Sequence, residues 1–202
     1  GPVFAGLRAL RTGLREASPA VAALEGTFGE WTDRVWELGR GDYSFVAVRD
    51  AAAMARLMPP AGPPFEKLVV RRGGEPVGWA ALLVKPQTDH PRYGDLCVGI
   101  VADCFAPAAE AATVLGASAR RLAELGVDLT VFNHSDARWQ GACARLGFFE
   151  GPATMSLSFN PALAERVAEA DPRFERTFAT RHDGEGEFYA APADSSPQPA
   201  AG

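Results

Sequence analysis

The chain has 202 residues, of which 47% are hydrophobic and 22% charged, and its formal net charge at pH 7 is -5. This composition is typical of one globular domain, with or without an elaboration, and the acidic balance argues against a general nucleic-acid-binding surface. No apolar run approaches the length of a membrane span, and the cysteines (Cys97, Cys104 and Cys143) form no Cys-x-x-Cys pair, so we expect neither a disulfide framework nor a metal site.

The first part of the chain, residues 3–41, is predicted to be a helical lead that precedes the main domain. Apolar residues recur at helical spacing over Phe4–Ala17 and again over Thr27–Leu38. Residues 1–2, Gly-Pro, are interpreted as the remnant of a cleaved tag and are left out of the fold prediction.

A strand, a helix and a hairpin are predicted next. Tyr43–Val48 has the pattern of a short strand, and Asp50–Met58 that of an alanine-rich helix with Asp50 as its N-cap. Glu66–Arg72 and Val77–Val84 alternate apolar and polar residues, and the glycine pair between them is typical of a tight antiparallel turn.

A strand–helix–strand unit is predicted after a polar loop over Lys85–Gly94. Asp95–Phe105 is a long, mostly apolar strand, Ala108–Leu125 has the apolar stripe of a helix, and Val127–Phe132 is a second apolar strand. Two strands joined through a helix in one sheet lie parallel, with a right-handed crossover. The hairpin before them is antiparallel, so we predict a mixed sheet of the α/β (α+β) class with helices on its faces.

The last part of the chain is predicted to alternate between helix and strand before it becomes disordered. The expected elements are a helix capped by Ser135 or Asp136 and ending at Arg145, a strand over Thr154–Phe159, a helix from Asn160 to Val167, an edge strand over Arg173–Thr180, and a disordered tail over residues 190–202.

The order of short motifs resembles the core of the GNAT (N-acetyltransferase) superfamily. The motifs are Ala123-Glu124-Leu125-Gly126 at the end of the long helix, Leu129-Thr130-Val131 in the following strand, Asn133 after it, and Arg145-Leu146-Gly147-Phe148 at the end of the next helix. The hairpin sequence Gly73–Gly78 is similar as well. The resemblance covers residues 42–189, about three-quarters of the chain. It implies a mostly antiparallel sheet whose one parallel pair parts in a V, with helices on both faces.

The resemblance also implies an acetyl-CoA or other acyl-CoA donor held in that V. In such a site the pantetheine arm bonds to backbone groups of the parted strand, and the pyrophosphate binds amides at the start of the following helix. The positions that match the family's donor-binding residues are Ala102, Cys104, Ala108, Ala109, Ala111 and Asn133.

The expected donor loop departs from the family's usual pattern at two positions. Ala106 stands where the family usually has a basic or amide side chain, and Glu110 places a carboxylate near the expected phosphates. Two interpretations stay open: a divergent anion site with small residues, or an ordinary helix start in which Glu110 complements the helix dipole.

Three residues are candidates for the chemistry that the resemblance implies. Asp103 could accept the proton of an amine, Asn133 could bond the pantetheine, and Cys143 stands where many family members have a tyrosine that protonates the leaving thiolate. The alternatives are a turn carboxylate for Asp103, a turn residue for Asn133 and a core thiol for Cys143.

The resemblance therefore favours an N-acyltransferase that moves an acyl group from acyl-CoA to an amine of a small molecule or sugar. The alternative is a catalytically inactive GNAT-like domain that binds or scaffolds within a larger protein. We expect a cytoplasmic chain with a small amine substrate, no nucleic-acid or membrane partner, and contact with other domains of a longer chain.

Overall fold

A computed structural model describes residues 20–90, 94–151 and 158–183 of the chain. Several predicted features fall outside these ranges: residues 1–2, the helix over Phe4–Ala17, most of the strand over Thr154–Phe159, and the tail over residues 190–202. These predictions stay untested.

Seven strands form two sheets within the described residues. They are β1 (Val21–Glu25), β2 (Phe45–Val46), β3 (Glu66–Arg72), β4 (Glu75–His90), β5 (Gly94–Phe105), β6 (Leu129–Phe132) and β7 (Thr177–Phe178). The main sheet has the order β1-β3-β4-β5-β6, and its neighbours are antiparallel except β5 and β6, which are parallel. The second sheet joins β2 to β7 in parallel. The predicted mixed sheet with one parallel pair in its main part is confirmed.

Five helices connect these strands within the described residues. They are α1 (Glu30–Gly39), α2 (Ala51–Leu57), α3 (Ala111–Glu124), α4 (Ala137–Arg145) and α5 (Pro161–Ala170). Asp50 caps α2 through the amide of Ala53, and Asn160 caps α5. Of the two caps predicted for α4, Asp136 is the one that accepts from the helix amides. A carboxylate or amide oxygen satisfies amides that the first helical turn leaves unpaired.

Two predictions are wrong for part of their range. Residues Val21–Glu25 of the expected helical lead form β1, which pairs with β3 along its whole length. The stretch Lys85–Gly94 was predicted to be a polar loop, but its first part, up to His90, belongs to β4. This part continues beside β5, where Lys85 pairs with Val98. In both places, pairing with a neighbouring strand overrides the local preference of the residues.

Smaller differences concern element lengths. The strand expected over Tyr43–Val48 is limited to β2, and the edge strand expected over Arg173–Thr180 is limited to β7. The helix expected to end at Val167 continues to Ala170. The ends of short elements depend on their partners, which a single sequence does not specify.

Helices pack on both faces of the main sheet, as predicted. Val114 of α3 lies against Gly78 on one face. The adjacent residue Trp79 points to the other face, where its ring meets Phe28 at 5.3 Å between centroids. Phe105 pairs with Trp79 in register and contacts Trp36 of α1 on that face. The carboxyl end of β5 is therefore enclosed between α1 and the start of α3.

The close approach of α3 to β4 depends on Gly78. A Cβ atom there would lie 2.4 Å from Cγ2 of Val114 and 2.8 Å from Cβ of Ala106. We expect Gly78→Ala to lower the free energy of unfolding by about 1–3 kcal/mol, because the helix must shift. Gly26→Ala is the control, since its Cβ would meet nothing within 4 Å. Urea denaturation of both variants checks this, and equal midpoints would contradict it.

Candidate functional site

The strands β5 and β6 part at their carboxyl ends. Their pairing runs from Val98–Leu129 to Val101–Phe132 and ends there. β5 continues to Phe105 beside β4, whereas the chain after β6 turns through Asn133 into α4. We term the space between residues 102–105 and residues 133–136 the fork. Ligands of open α/β sheets bind at such carboxyl edges.

A segment of the chain itself runs through the fork. We term this segment, Thr177–Asp183, the strap. On one side Thr180 forms an antiparallel bridge with His134, and on the other its hydroxyl donates to Oδ1 of Asp103 at 3.0 Å. Ser135 anchors the strap a second time, because its Oγ accepts from the amide of Ala179 and donates to the carbonyl of Thr177. The strap therefore bridges the two sides of the fork.

Phe178 of the strap fills the apolar part of the fork. Its side chain is fully buried, and its ring centroid lies within 6 Å of four rings around it. They are the rings of Tyr43 (4.7 Å), Phe105 (5.5 Å), His134 (4.2 Å) and Trp139 (5.9 Å). Phe105 belongs to β5 and Trp139 to α4, while His134 lies between β6 and α4 and Tyr43 between α1 and β2. Phe178 therefore joins rings from four parts of the chain into one aromatic cluster.

Tyr43 closes the fork toward the start of α3. Its hydroxyl donates to the carbonyl oxygen of Ala106 at 2.6 Å and accepts from the indole N–H of Trp139 at 3.0 Å. Burial raises the pKa of this phenol, so it stays protonated at neutral pH. The Tyr43 side chain therefore spans the distance between the end of β5 and α4.

A buried ionic cluster fixes the strap on the β5 side. Arg49, which is 1% exposed, donates from Nε to Oδ1 of Asp103 at 3.2 Å and from Nη2 to Oδ2 of Asp183. Its guanidinium carbon also lies 4.7 Å from the ring centre of Phe178. One cation thus holds a carboxylate of β5 and a carboxylate of the strap.

The charges of this cluster are unequal in number, with two carboxylates on one guanidinium. Burial raises the pKa of Asp103, Arg49 opposes that rise, and the nearby Asp183 carboxylate adds to it. Among the described residues, Oδ2 of Asp103 has no hydrogen-bond partner. The other oxygen, Oδ1, accepts hydrogen bonds from Arg49 and Thr180. Because the whole side chain is also buried, Asp103 does not face an open cleft.

The start of α3 is covered by carboxylates of the chain itself. The backbone N–H of Ala108 donates to Oδ2 of Asp42 at 2.8 Å. Glu110 forms a two-bond ion pair with Arg72, at 2.6 and 2.9 Å. The backbone of Gly39 packs so closely on Pro107 that a Cβ would lie 2.8 Å from its nitrogen. The loop that the resemblance assigns to a pyrophosphate thus has its Ala108 amide bonded to the Asp42 carboxylate, and its own carboxylate, Glu110, is paired with Arg72.

The residues predicted to act lie around this fork, but in other surroundings than expected. Ala102 and Cys104 are buried in β5, Ala111 is buried at the start of α3, and Ala109 is exposed. Asn133 lies at the fork between β6 and His134. Cys143 is half-buried on α4, and burial raises the pKa of its thiol to about 12. A thiol with that pKa is a poor proton donor to a thiolate of ordinary pKa.

An acyl-CoA donor, which the resemblance implies, does not fit these residues as they stand. A pantetheine arm bonding to β5 would need the place of Phe178 and Tyr43, and a pyrophosphate on the amides before α3 would meet the carboxylate of Asp42. The negative charges of the pyrophosphate and of the Asp42 carboxylate would repel each other when both are close to the same amides. The arrangement of the described side chains excludes donor binding unless the strap and Asp42 move.

Several residues that build the fork were not found by sequence reasoning: Asp42, Tyr43, Arg49, Trp139, Phe178 and Thr180. The sequence does contain one indication of the ionic cluster. Asp103 lies within the apolar run Val101–Phe105, and a carboxylate that is buried there requires a positively charged or hydrogen-bonding partner. The sequence does not indicate which arginine supplies it, because Arg49 and Asp103 are 54 residues apart in the chain.

Membrane-spanning helices and metal centres are two further features that the described residues, 20–90, 94–151 and 158–183, could have contained. No helix in these ranges is both long enough and apolar enough to cross a membrane. No group of three or more histidine, cysteine, aspartate or glutamate side chains in them is placed to hold a metal ion.

Comparison with known proteins finds similarity in the fold. No model of a protein family matches the chain, and no curated protein matches it in sequence. The solved structure of TTHA1254 from Thermus thermophilus is 18% identical, with a TM-score of 0.45 over 68% of this chain and 96% of its own. An acetyltransferase from Trypanosoma brucei is 21% identical, with a TM-score of 0.44 over 69% and 99%.

Proposed function

We propose that this chain is a GNAT-like domain without acyltransfer activity, which serves as a binding or scaffolding unit alongside other domains of a longer protein. The observation that carries the proposal is the place of Phe178, fully buried in the fork and surrounded by four rings. A transferase of this kind needs that place for its donor, and here a side chain of the core holds it.

The proposal is also supported at the start of α3. Backbone amides at a helix start bind phosphate groups when they are open to a ligand. Here the amide of Ala108 is bonded to Asp42, and the neighbouring carboxylate of Glu110 is paired with Arg72. Both contacts stabilise the closed arrangement and disfavour a polyanion such as CoA.

The second candidate is the N-acyltransferase that the motifs predict, with an acyl-CoA donor and an amine of a small molecule or sugar as acceptor. The observation that favours it is the parting of β5 and β6 after Val101 and Phe132. In this case the strap would have to leave the fork before the donor binds.

Isothermal titration calorimetry with acetyl-CoA and with longer acyl-CoAs separates the two candidates. We expect no binding heat at millimolar donor, and no rise in melting temperature, because a ligand that binds only the folded state would raise it. The matched variant Asp42→Asn removes one charge at the helix start, and we expect it to leave the result unchanged while Phe178 stays in place.

The acyltransferase would instead show micromolar binding and turnover of the thioester. That turnover should fall in Asn133→Ala and Asp103→Asn, provided that both variants keep the circular dichroism spectrum of the parent. Such a result would overturn the non-catalytic assignment.

A further inference from the structure

His134 lies where the strap meets the second side of the fork. Its ring stacks on Trp139 at 5.1 Å and on Phe132 at 5.3 Å, and it stands perpendicular to Phe178 at 4.2 Å. Its backbone forms the bridge to Thr180 of the strap. The imidazole is thus part of the contact surface that holds the strap closed.

The hydrogen bonding of this ring requires its neutral form. Nδ1 accepts from the backbone N–H of Asp136 at 3.1 Å, so the proton of the neutral ring is on Nε2. A second proton would go to Nδ1 and place two N–H groups against each other. Protonation therefore breaks the contact between His134 and the start of α4.

Cations face His134 from two elements. Arg49 approaches from the connection between β2 and α2, and Arg138 from α4. The carboxylates on these sides are already engaged: Asp136 with Arg138, and Asp103 and Asp183 with Arg49. Burial first, and then these two guanidinium groups, hold the pKa of His134 well below its ordinary value. A positive charge on this ring is therefore unfavourable while the strap is closed, mainly because the ring is removed from water.

We propose that the strap is an acid-opened closure of the fork, in which protonation of His134 releases Thr177–Asp183 from the aromatic cluster. An open strap exposes the ring of His134 to water, where an imidazolium is well solvated. Because the open state takes up the proton first, the closed state is fully favoured above the ordinary pKa of histidine, about 6.5, and loses stability as the pH falls below it. The inference rests on the closed fork of the proposed function.

Hydrogen exchange measured by mass spectrometry on the unmodified chain tests this proposal between pH 7.5 and 5. Rates are divided at each pH by those of an unstructured peptide. We expect the protection of the strap amides to fall by up to about tenfold per pH unit below about pH 6.5, as uptake of one proton predicts, while the β3–β4 hairpin stays protected. In His134→Phe, which keeps a flat ring beside Trp139, the loss of strap protection below about pH 6.5 should disappear.

The control variant is His182→Gln, since the His182 side chain is buried and lies in the strap itself. It should keep the pH dependence of the unmodified chain. Equal dependence in His134→Phe, loss of the dependence in His182→Gln, a strap protected at every pH, or parallel loss in the hairpin would each overturn the proposal.

If His134→Phe does not fold, nuclear magnetic resonance of the unmodified chain decides the question. The ring resonances of His134 and the amide of Asp136 should titrate together with strap exchange, and opening with a ring that stays neutral would overturn the proposal. Acyl-CoA is absent from all of these samples, so the outcome is independent of the calorimetry that tests the proposed function.

Discussion

Replacing Phe178 with alanine is expected to lower the free energy of unfolding by about 3–5 kcal/mol, the range for removing a large aromatic side chain from a core. The upper part of that range is favoured here, because Phe178 is fully buried and links rings from several elements. It also supplies the ring face next to the guanidinium of Arg49. A cavity at this place weakens the strap and the closed fork together.

Urea denaturation followed by circular dichroism measures this loss. Phe149→Ala is the matched control, because Phe149 is 81% exposed and its removal should change stability by less than about 0.5 kcal/mol. Phe178→Leu keeps part of the volume and should cost less than the alanine variant. If Phe178→Ala and Phe149→Ala were equally stable, Phe178 would not be the centre of the fork, and the proposed function would lose its main support.

The sheet could be predicted from the sequence because its strands carry strong local patterns. Glu66–Arg72 is recovered with the same bounds, and the turn after it uses Gly73 and Gly74 at positive φ, where glycine has no steric penalty. The parallel pairing of β5 and β6 follows from the helix between them, since a crossover of this kind has one dominant handedness.

The strand of the strap lies within the edge strand predicted over Arg173–Thr180, but its place in the fork could not be predicted in the same way. β7 has only two residues, and its pairing partner β2 is more than a hundred residues earlier in the chain. Such a strand has no period of its own, and its place depends on side chains such as Phe178 and Thr180 meeting residues of β5. The order of motifs therefore predicts an open fork, because the residues that close the fork are not part of those motifs.

The sequence places Asp103 near the end of its strand, as the structure does, but it does not indicate the charges around that carboxylate. Asp103 was identified at the carboxyl end of β5, where the structure also places the fork. Its interpretation as a base depended on an open environment, and the decisive fact is the buried guanidinium of Arg49. Contacts between charged residues far apart in the chain leave no periodic signal in a single sequence.

The ion cluster gives the second large effect, in Arg49→Met. Methionine has a similar length but no charge, so Asp103 and Asp183 would face each other without their cation. Removing one partner of a buried ion pair costs about 3–5 kcal/mol, because the other charge stays buried and uncompensated. We expect a loss of that size at pH 7, measured by urea denaturation.

The pH dependence of this loss separates charge from packing. Burial already raises the pKa of Asp103 in the intact cluster, and without Arg49 it rises further, so the folded variant takes up a proton that the unfolded chain does not hold. A raised folded pKa means stability that increases as the pH falls, so the loss in Arg49→Met should be smaller at pH 5 than at pH 7.

The double variant Arg49→Met with Asp103→Asn carries a neutral amide in place of the orphaned carboxylate and should recover a large part of the loss. An equal loss at both pH values without recovery in the double variant would mean that Arg49 acts by packing on Phe178 alone, and that the strap is held by its aromatic contacts rather than by charge.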